Sequence, residues 1–131
     1  MTPMEHSRQL LRKKVEQFNQ AARDRGDDTR AHFDTVEHYN FHQKRSKDFF
    51  GFADLFVSFP PHNYAIQVTT VGNMQARRRK ICSERAHNAR AFLSVSCNRV
   101  QVWGWKKYKR KVNNRHWQLR VIDVEIEDLM R

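Results

Sequence analysis

The sequence is short of acidic residues. It has 14 Asp and Glu against 25 Lys and Arg in 131 residues, which leaves a net charge of +11. Positive charges in such an excess repel one another, and binding to a polyanion relieves this repulsion. The balance therefore indicates a nucleic-acid partner. The alternatives are a basic protein that merely stays soluble and one that touches anionic membranes.

Cysteine, glycine and long apolar runs are also scarce, and each shortage excludes a class of protein. The two cysteines, Cys82 and Cys97, form neither a disulfide framework nor a CxxC metal knuckle, so free thiols in a reducing compartment are expected. No apolar run approaches a membrane span, and the first residues lack the apolar core of a signal peptide. We therefore predict no membrane partner and a cytoplasmic location in a bacterial or phage-infected cell. With only 4 Gly and 3 Pro there is no flexible linker, so residues 1–131 are predicted to form a single domain.

Two segments have the apolar periodicity of helices. The first covers residues 5–23, after Pro3, with a stripe spaced at i, i+4, i+7 and i+11. The second runs from Asn73, a good N-cap residue, to about Leu93 and exposes a strongly basic side. The two predicted stripes are Leu11, Val15, Phe18 and Ala22, and then Cys82, Ala86, Ala89 and Leu93.

The remaining regular segments favour strands, because they are rich in aromatic and β-branched residues. The two central strands are joined by a proline-containing loop and are nearly continuously apolar, as expected for strands covered on both faces. The predicted strands are residues 32–39, 49–59, 64–70, 99–105 and 116–126, with a basic turn at 106–115. The order α-β-β-β-α-β-β predicts a mixed sheet flanked by two helices, of the α/β or α+β class.

One acid, Asp54, lies in the otherwise apolar segment 51–57. A buried carboxylate without a partner costs several kcal/mol, so such a group is normally paired or bound to a metal. Gln67 and Thr69, two residues apart on the next strand, would share one face and offer oxygen atoms. Mg²⁺ prefers oxygen ligands and often takes only one or two protein carboxylates. The alternative is a structural Asp54 that accepts hydrogen bonds from a backbone turn.

Four segments carry a resemblance to a known family. They are residues 49–55 (FFGFADL), 65–69 (AIQVT), 73–81 (NMQARRRKI) and 102–105 (VWGW). Together they resemble the PD-(D/E)XK nuclease superfamily, and more narrowly its small phage and bacterial members related to Holliday-junction resolvases and VRR-NUC domains. The resemblance spans residues 36–121. It implies a restriction-endonuclease-like core and hydrolysis of DNA phosphodiesters with Mg²⁺ or Mn²⁺.

The resemblance assigns roles to three residues and departs from the family pattern at two of them. Asp54 matches the metal-binding acid of the first motif. Gln67 stands where the second acid usually is and offers one carbonyl oxygen without negative charge. Thr69 stands where the catalytic Lys usually is and supplies no cation. These departures leave open a nuclease-like fold that binds nucleic acid without cutting it.

Other residues are expected to supply what these two positions lack. Arg77 and Lys80 are one helical turn apart and face the same way, so either offers the missing cation. An accessory acid for the metal comes from Glu37 on the first strand or from Glu16 on the first helix, and the sequence leaves both open.

Dense groups of cations predict the surfaces that contact phosphates. The predicted nucleic-acid-binding residues are Lys44, Arg45, Lys47, Arg77, Arg78, Arg79, Lys106, Lys107, Lys109 and Arg110. Trp103 and Trp105 lie on one face of a strand, where core packing is favoured over base stacking. Gly104 between them indicates a bulge or the close approach of the first helix.

Three functions fit these observations. The first is a metal-dependent endonuclease on double-stranded or branched DNA, for which the resemblance to junction resolvases implies a homodimer. The second is a catalytically inactive, nuclease-like protein that binds nucleic acid. The third is a basic ribosomal or structural RNA-binding protein.

Overall fold

A computed structural model describes residues 1–36, 38–40, 45–47, 50–112 and 115–129. The helices are α1 (Pro3–Asp24), α2 (Met74–Ser83) and α3 (Ala86–Leu93), with short 3₁₀ turns at Val71–Asn73 and Ile126–Asp128. The strands are β1 (His32–Thr35), β2 (His38–Asn40), β3 (Arg45–Lys47), β4 (Leu55–Phe59), β5 (His62–Thr70), β6 (Asn98–Val112) and β7 (Arg115–Val124).

The described strands form a five-stranded sheet in the order β1-β4-β5-β6-β7 and a separate β2–β3 pair. Neighbours in the larger sheet are antiparallel except β5 and β6, which are parallel because α2 and α3 connect them. Helix α1 covers one face of this sheet and α2 and α3 cover the other. The predicted α+β class, with a mixed sheet flanked by helices, is confirmed.

Helix α1 begins where the sequence predicts, within two residues. Thr2 Oγ1 accepts a hydrogen bond from Glu5 N at 3.1 Å, and Glu5 Oε2 accepts one from Thr2 N at 2.9 Å. This reciprocal capping box fixes the first turn, and Pro3 suits it because a first-turn residue needs no N–H partner. Leu11 and Ala22 of the predicted stripe are buried. The stripe therefore packs the helix on the sheet, as its periodicity predicts.

The helix predicted from Asn73 to Leu93 is wrong in one respect, because it is two helices. Arg85 N donates to Lys80 O, five residues back, and this bond interrupts the helical ladder between Ser83 and Ala86. Cys82 and Ala86 stay buried on either side of the break, so the apolar period continues across it and conceals it. The side chain of Asn73 makes no capping bond, contrary to expectation.

The first central strand is shorter than predicted and begins only at Leu55. Phe50 and Gly51 have φ angles of 55° and 77°, which belong to a turn and end any extended strand there. Asn88 of α3 donates a hydrogen bond to Phe50 O at 2.8 Å and holds this turn against the helix. Asp54 therefore lies at the entrance of β4 and not within it.

The basic turn predicted at 106–115 is also wrong, because the chain stays extended as far as Val112. Lys106 pairs with Gln118 and Lys107 with Trp117 across the β6–β7 ladder, and this pairing satisfies the backbone whatever the side chains. Lys107 Nζ lies 6.0 Å from the centre of the Trp117 ring. The connection at 113–114 lies outside the described residues.

Alternation along β6 explains the Trp-Gly-Trp segment. Trp103 belongs to the apolar cluster on the α1 side, and Trp105 Nε1 donates to Ser7 Oγ of α1 at 2.7 Å. Both rings are part of the core, as predicted. Gly104 faces the opposite side, where Met74 of α2 packs against it. The close approach thus comes from α2 and not from the first helix, because successive residues of a strand face opposite sides.

Candidate functional site

A cleft of about 340 Å³ lies at the C-terminal end of the central strand β5. The first turn of α1, the entrance of β4, the end of β5 and the second turn of α2 meet there. Its lining residues are Thr2, Pro3, Met4, Asp54, Gln67, Val68, Thr69, Thr70 and Arg77. The structure thus brings together Asp54, Gln67 and Thr69, which the sequence pattern singled out.

Asp54 is anchored in this cleft by both its backbone and its carboxylate. Its N–H donates to Ile66 O at 2.8 Å, and its carbonyl accepts from Val36 N at 2.9 Å. Its Oδ2 accepts from Val68 N at 2.8 Å and from Gln67 Nε2 at 2.9 Å. The residue is only 5% exposed, and these bonds offset much of the cost of burying its charge. The expected alternative, a carboxylate bonded to backbone, is therefore present beside the predicted contact with Gln67.

The spacing of the two side chains suits a shared divalent cation. Two neighbouring ligands of an octahedral Mg²⁺ lie about 3 Å apart, since each is about 2.1 Å from the ion. The Asp54 Oδ2 to Gln67 Nε2 distance is 2.9 Å. Half a turn about the terminal torsion of Gln67 exchanges its nitrogen for its oxygen, which would then be the ligand atom. Across the described residues, three or more His, Cys, Asp or Glu side chains nowhere gather as a metal site.

The two predicted cations of α2 differ in their position relative to the cleft. Arg77 is exposed and lines the cleft, whereas Lys80 is exposed outside the set of lining residues. Both lie on the same side of α2, but only the residue nearer its start reaches the end of β5. Thr69 is buried in the cleft and offers its hydroxyl beside Gln67.

Of the two predicted accessory acids, Glu16 does not join the cleft, and Glu37 cannot be assigned to it or kept from it on the described residues. Glu16 is exposed on α1, 12 residues beyond Met4, which places it about 18 Å along the helix axis. The periodicity allowed Glu16 at the edge of the apolar stripe, but only the first turn of α1 reaches the cleft. Glu37 lies outside the described residues.

The predicted phosphate-binding cations fall on several elements. Lys106, Lys107, Lys109 and Arg110 are exposed on β6, beyond its last pairing with β5. Arg78 is different from its neighbours Arg77 and Arg79, because its guanidinium forms an ion pair with Asp128 at 3.2 Å. Arg45 and Lys47 belong to β3, and Lys44 lies outside the described residues.

Sequence reasoning missed a second groove and its residues, Lys14 and Trp117. Helix α1 carries four exposed cations between Arg8 and Lys14 with no acid among them, and this run was a readable signal. Trp117 gave a weaker one, as an aromatic residue two positions before the apolar Leu119 on the same strand face.

Comparison with protein-family models, with curated proteins and with solved structures found no match. No helix in the described part of the chain is long and apolar enough to cross a membrane.

Proposed function

We propose that this protein is a Mg²⁺- or Mn²⁺-dependent DNA endonuclease whose metal site is built on Asp54 and Gln67. One observation carries the proposal: Asp54 and Gln67 converge to 2.9 Å at the floor of an open cleft that Arg77 also lines. A buried acid beside a polar partner and a cation, in a concave site, is a typical arrangement for chemistry on phosphate.

The order of elements around the cleft supports the proposal. The resemblance to PD-(D/E)XK nucleases implies a core of one helix, three strands, a helix and a further strand. Here α1 is followed by the antiparallel series β1, β4 and β5, then by α2 and α3, then by β6 parallel to β5. The two motif residues, Asp54 and Gln67, lie at the same edge of this series.

Each residue of the cleft has a task that its chemistry fits. Asp54 and Gln67 would hold the cation, which supplies polarisation of phosphate oxygens and a lower pKa for water. The Arg77 guanidinium would neutralise negative charge that develops on the phosphate, because it is permanently charged and forked. The Thr69 hydroxyl can accept and donate a hydrogen bond and so orient water beside the phosphate.

The basic β6–β7 hairpin is suited to hold the DNA backbone. β6 pairs with β5 only as far as Trp105 and then continues to Val112, which extends about 23 Å beyond the end of β5. We call residues 106–112 and 115–118 the basic arm. It projects from the end of the sheet at which β5 terminates, and the cleft lies at that same end. Branched DNA and a homodimer follow from the resemblance to junction resolvases, and sedimentation velocity measures the oligomeric state.

A second function is favoured by the hydrogen bonds of Asp54. Its Oδ2 already accepts from Val68 N and from the Gln67 amide, so the carboxylate has a structural task without any metal. A nuclease-like protein that binds DNA and leaves it intact would keep this arrangement.

The two functions are separated by Asp54→Asn and Asp54→Ala. In the nuclease, both variants lose cleavage of linear and branched DNA by at least about a hundredfold, because the carboxylate that Asp54 contributes to the cleft is gone. Titration calorimetry with Mn²⁺ in the absence of DNA should show a binding heat for the parent protein and none for Asp54→Asn.

Glu16→Gln is the matched control, since it removes an equal charge from an acid outside the cleft. It should cleave and bind Mn²⁺ as the parent does. Cleavage that survives in both Asp54 variants would sink the assignment. A parent protein that binds DNA but neither cleaves it nor binds Mn²⁺ would establish the second function.

A further inference from the structure

A second groove, of about 590 Å³, separates α1 from the base of the basic arm. It is distinct from the cleft, with which it shares no lining residue. Its lining residues are Leu10, Lys14, Trp105, Arg115, Trp117, Gln118 and Leu119. Aromatic and aliphatic side chains form its floor, and two cations lie at its rim.

Trp117 is the aromatic residue of this groove that remains accessible. It is half-buried, whereas Trp103 and Trp105 are only 7% and 8% exposed. The His6 ring lies between the two indoles, stacked on Trp105 at 5.1 Å and tilted by 41° against Trp117 at 4.7 Å, centre to centre. The His6 ring thus backs the Trp117 indole, which helps to fix its orientation.

The charge around Trp117 has one sign. Lys14 and Arg115 are exposed at the rim of the groove, and Lys107 Nζ is 6.0 Å from the Trp117 ring centre. None of the lining residues that the structure describes is acidic. A partly exposed aromatic ring surrounded by cations is the combination with which proteins bind single-stranded nucleic acid, since the ring stacks on a base and the cations contact phosphates.

We propose that this groove binds an unpaired base of a DNA strand by stacking it on Trp117, with Lys14 and Arg115 on the flanking phosphates. The inference rests on the proposed function only for the identity of the polyanion as DNA. It names the substrate class as DNA with unpaired nucleotides, because bases stacked within a duplex do not present their faces to a protein.

The groove and the cleft are neighbours along α1. Both are bounded by α1, whose first turn reaches the cleft at Met4 and whose next turns reach the groove at Leu10 and Lys14. Met4 and Leu10 are six residues apart, or about 9 Å along the helix axis. The groove and the cleft therefore lie within about two helical turns of each other along α1.

The test compares three probes with the full chain in the absence of metal: oligo-dT of about 12 nucleotides, an abasic strand of equal length, and a duplex. The parent should bind oligo-dT at least about fivefold more tightly than the abasic strand, and Trp117→Ala should lose that preference. Binding of oligo-dT should also quench tryptophan fluorescence. Trp117→Phe, which keeps an aromatic face, should retain most of the affinity while losing most of the quenching.

Lys14→Ala and Lys13→Ala form a matched pair, because both remove one exposed cation from α1 and only Lys14 lines the groove. Lys14→Ala should weaken oligo-dT binding more than Lys13→Ala. The proposal is overturned if the parent binds the abasic strand as tightly as oligo-dT, or if Trp117→Ala, folded by circular dichroism, binds oligo-dT like the parent. Binding is measured without metal and without cleavage, so a failed nuclease assignment leaves this test intact.

Discussion

At the scale of single residues, the geometry of the cleft is set by the hydrogen bonds of the Asp54 carboxylate. Asp54 Oδ2 accepts one hydrogen bond from the backbone N–H of Val68 and another from the Gln67 amide. The first bond fixes the position of the acid relative to β5. Under the proposed function, the Gln67 amide would turn and the second bond would be exchanged for a shared cation.

His6 is a second residue whose surroundings have a measurable consequence. Its Nε2 is buried and has no hydrogen-bond partner among the residues that the structure describes. Burial between Trp105 and Trp117 lowers the pKa of His6 below its ordinary value of 6.5. The unfolded chain therefore binds a proton more readily than the folded protein does.

We expect the free energy of unfolding to fall as pH drops through 6.5 toward the lower folded-state pKa of His6. Above 6.5 the ring is neutral in both states and its contribution is fully present. His6→Phe keeps a ring and cannot titrate, so urea unfolding of this variant should lose that part of the pH dependence. Parallel pH profiles for parent and variant would show that His6 is not responsible.

At the scale of elements, β6 shows how one strand serves both faces of the sheet and then leaves it. Trp103 and Trp105 pack toward α1, and Gly104 between them lets α2 approach. Beyond the end of β5, the same strand continues into the basic arm, paired only with β7. The rigid part of β6 in the core thereby fixes the position of the arm relative to the cleft.

Gly104→Ala tests this close packing. A Cβ at this position overlaps with the side chain of Met74, which is buried at the start of α2 and has little room to move. Overpacking of this kind should lower the free energy of unfolding by about 1–3 kcal/mol, measured by urea denaturation. In the double variant Gly104→Ala/Met74→Ala the clash is gone, so the two effects should not add. Additive effects would argue against the contact.

At the scale of the whole molecule, the net charge of +11 includes a group of exposed cations near the end of β5. Exposed cations on the first half of α1, on α2 and on the basic arm surround the region where β5 ends. A cleft between like-charged surfaces raises the local concentration of a polyanion and orients its approach. These cations are the ones that the proposed function assigns to the nucleic-acid backbone.

The salt dependence of DNA affinity measures how many of the phosphate contacts the basic arm makes. We expect neutralisation of Lys106, Lys107, Lys109 and Arg110 to reduce the slope of log affinity for duplex DNA against log salt by about 3 to 4, because each lost phosphate contact contributes about 0.9. Fluorescence anisotropy at several salt concentrations gives the slope. A matched variant with Arg23, Arg25, Arg30 and Arg99 neutralised, none of them on the first half of α1, on α2 or on the basic arm, controls for net charge. An unchanged slope in the arm variant would remove the arm from the binding surface.

The sequence by itself determined the class of the fold, the first helix and the residues at the centre of the site. Apolar periodicity sets α1, and alternation on β5 places Gln67 and Thr69 on one face. The odd acid in an apolar segment identified Asp54. These features are local, because the period of a helix or a strand decides which side chains share a face.

The tertiary structure alone decided which distant residues complete the site. Arg77 reaches the cleft and Glu16 does not, because the packing angle of α1 brings only its first turn to the end of β5. The break at Arg85 and the extension of β6 through a basic run are set by contacts that periodicity does not contain. The groove at Trp117 exists only because α1 and the basic arm, about 100 residues apart in the chain, lie side by side.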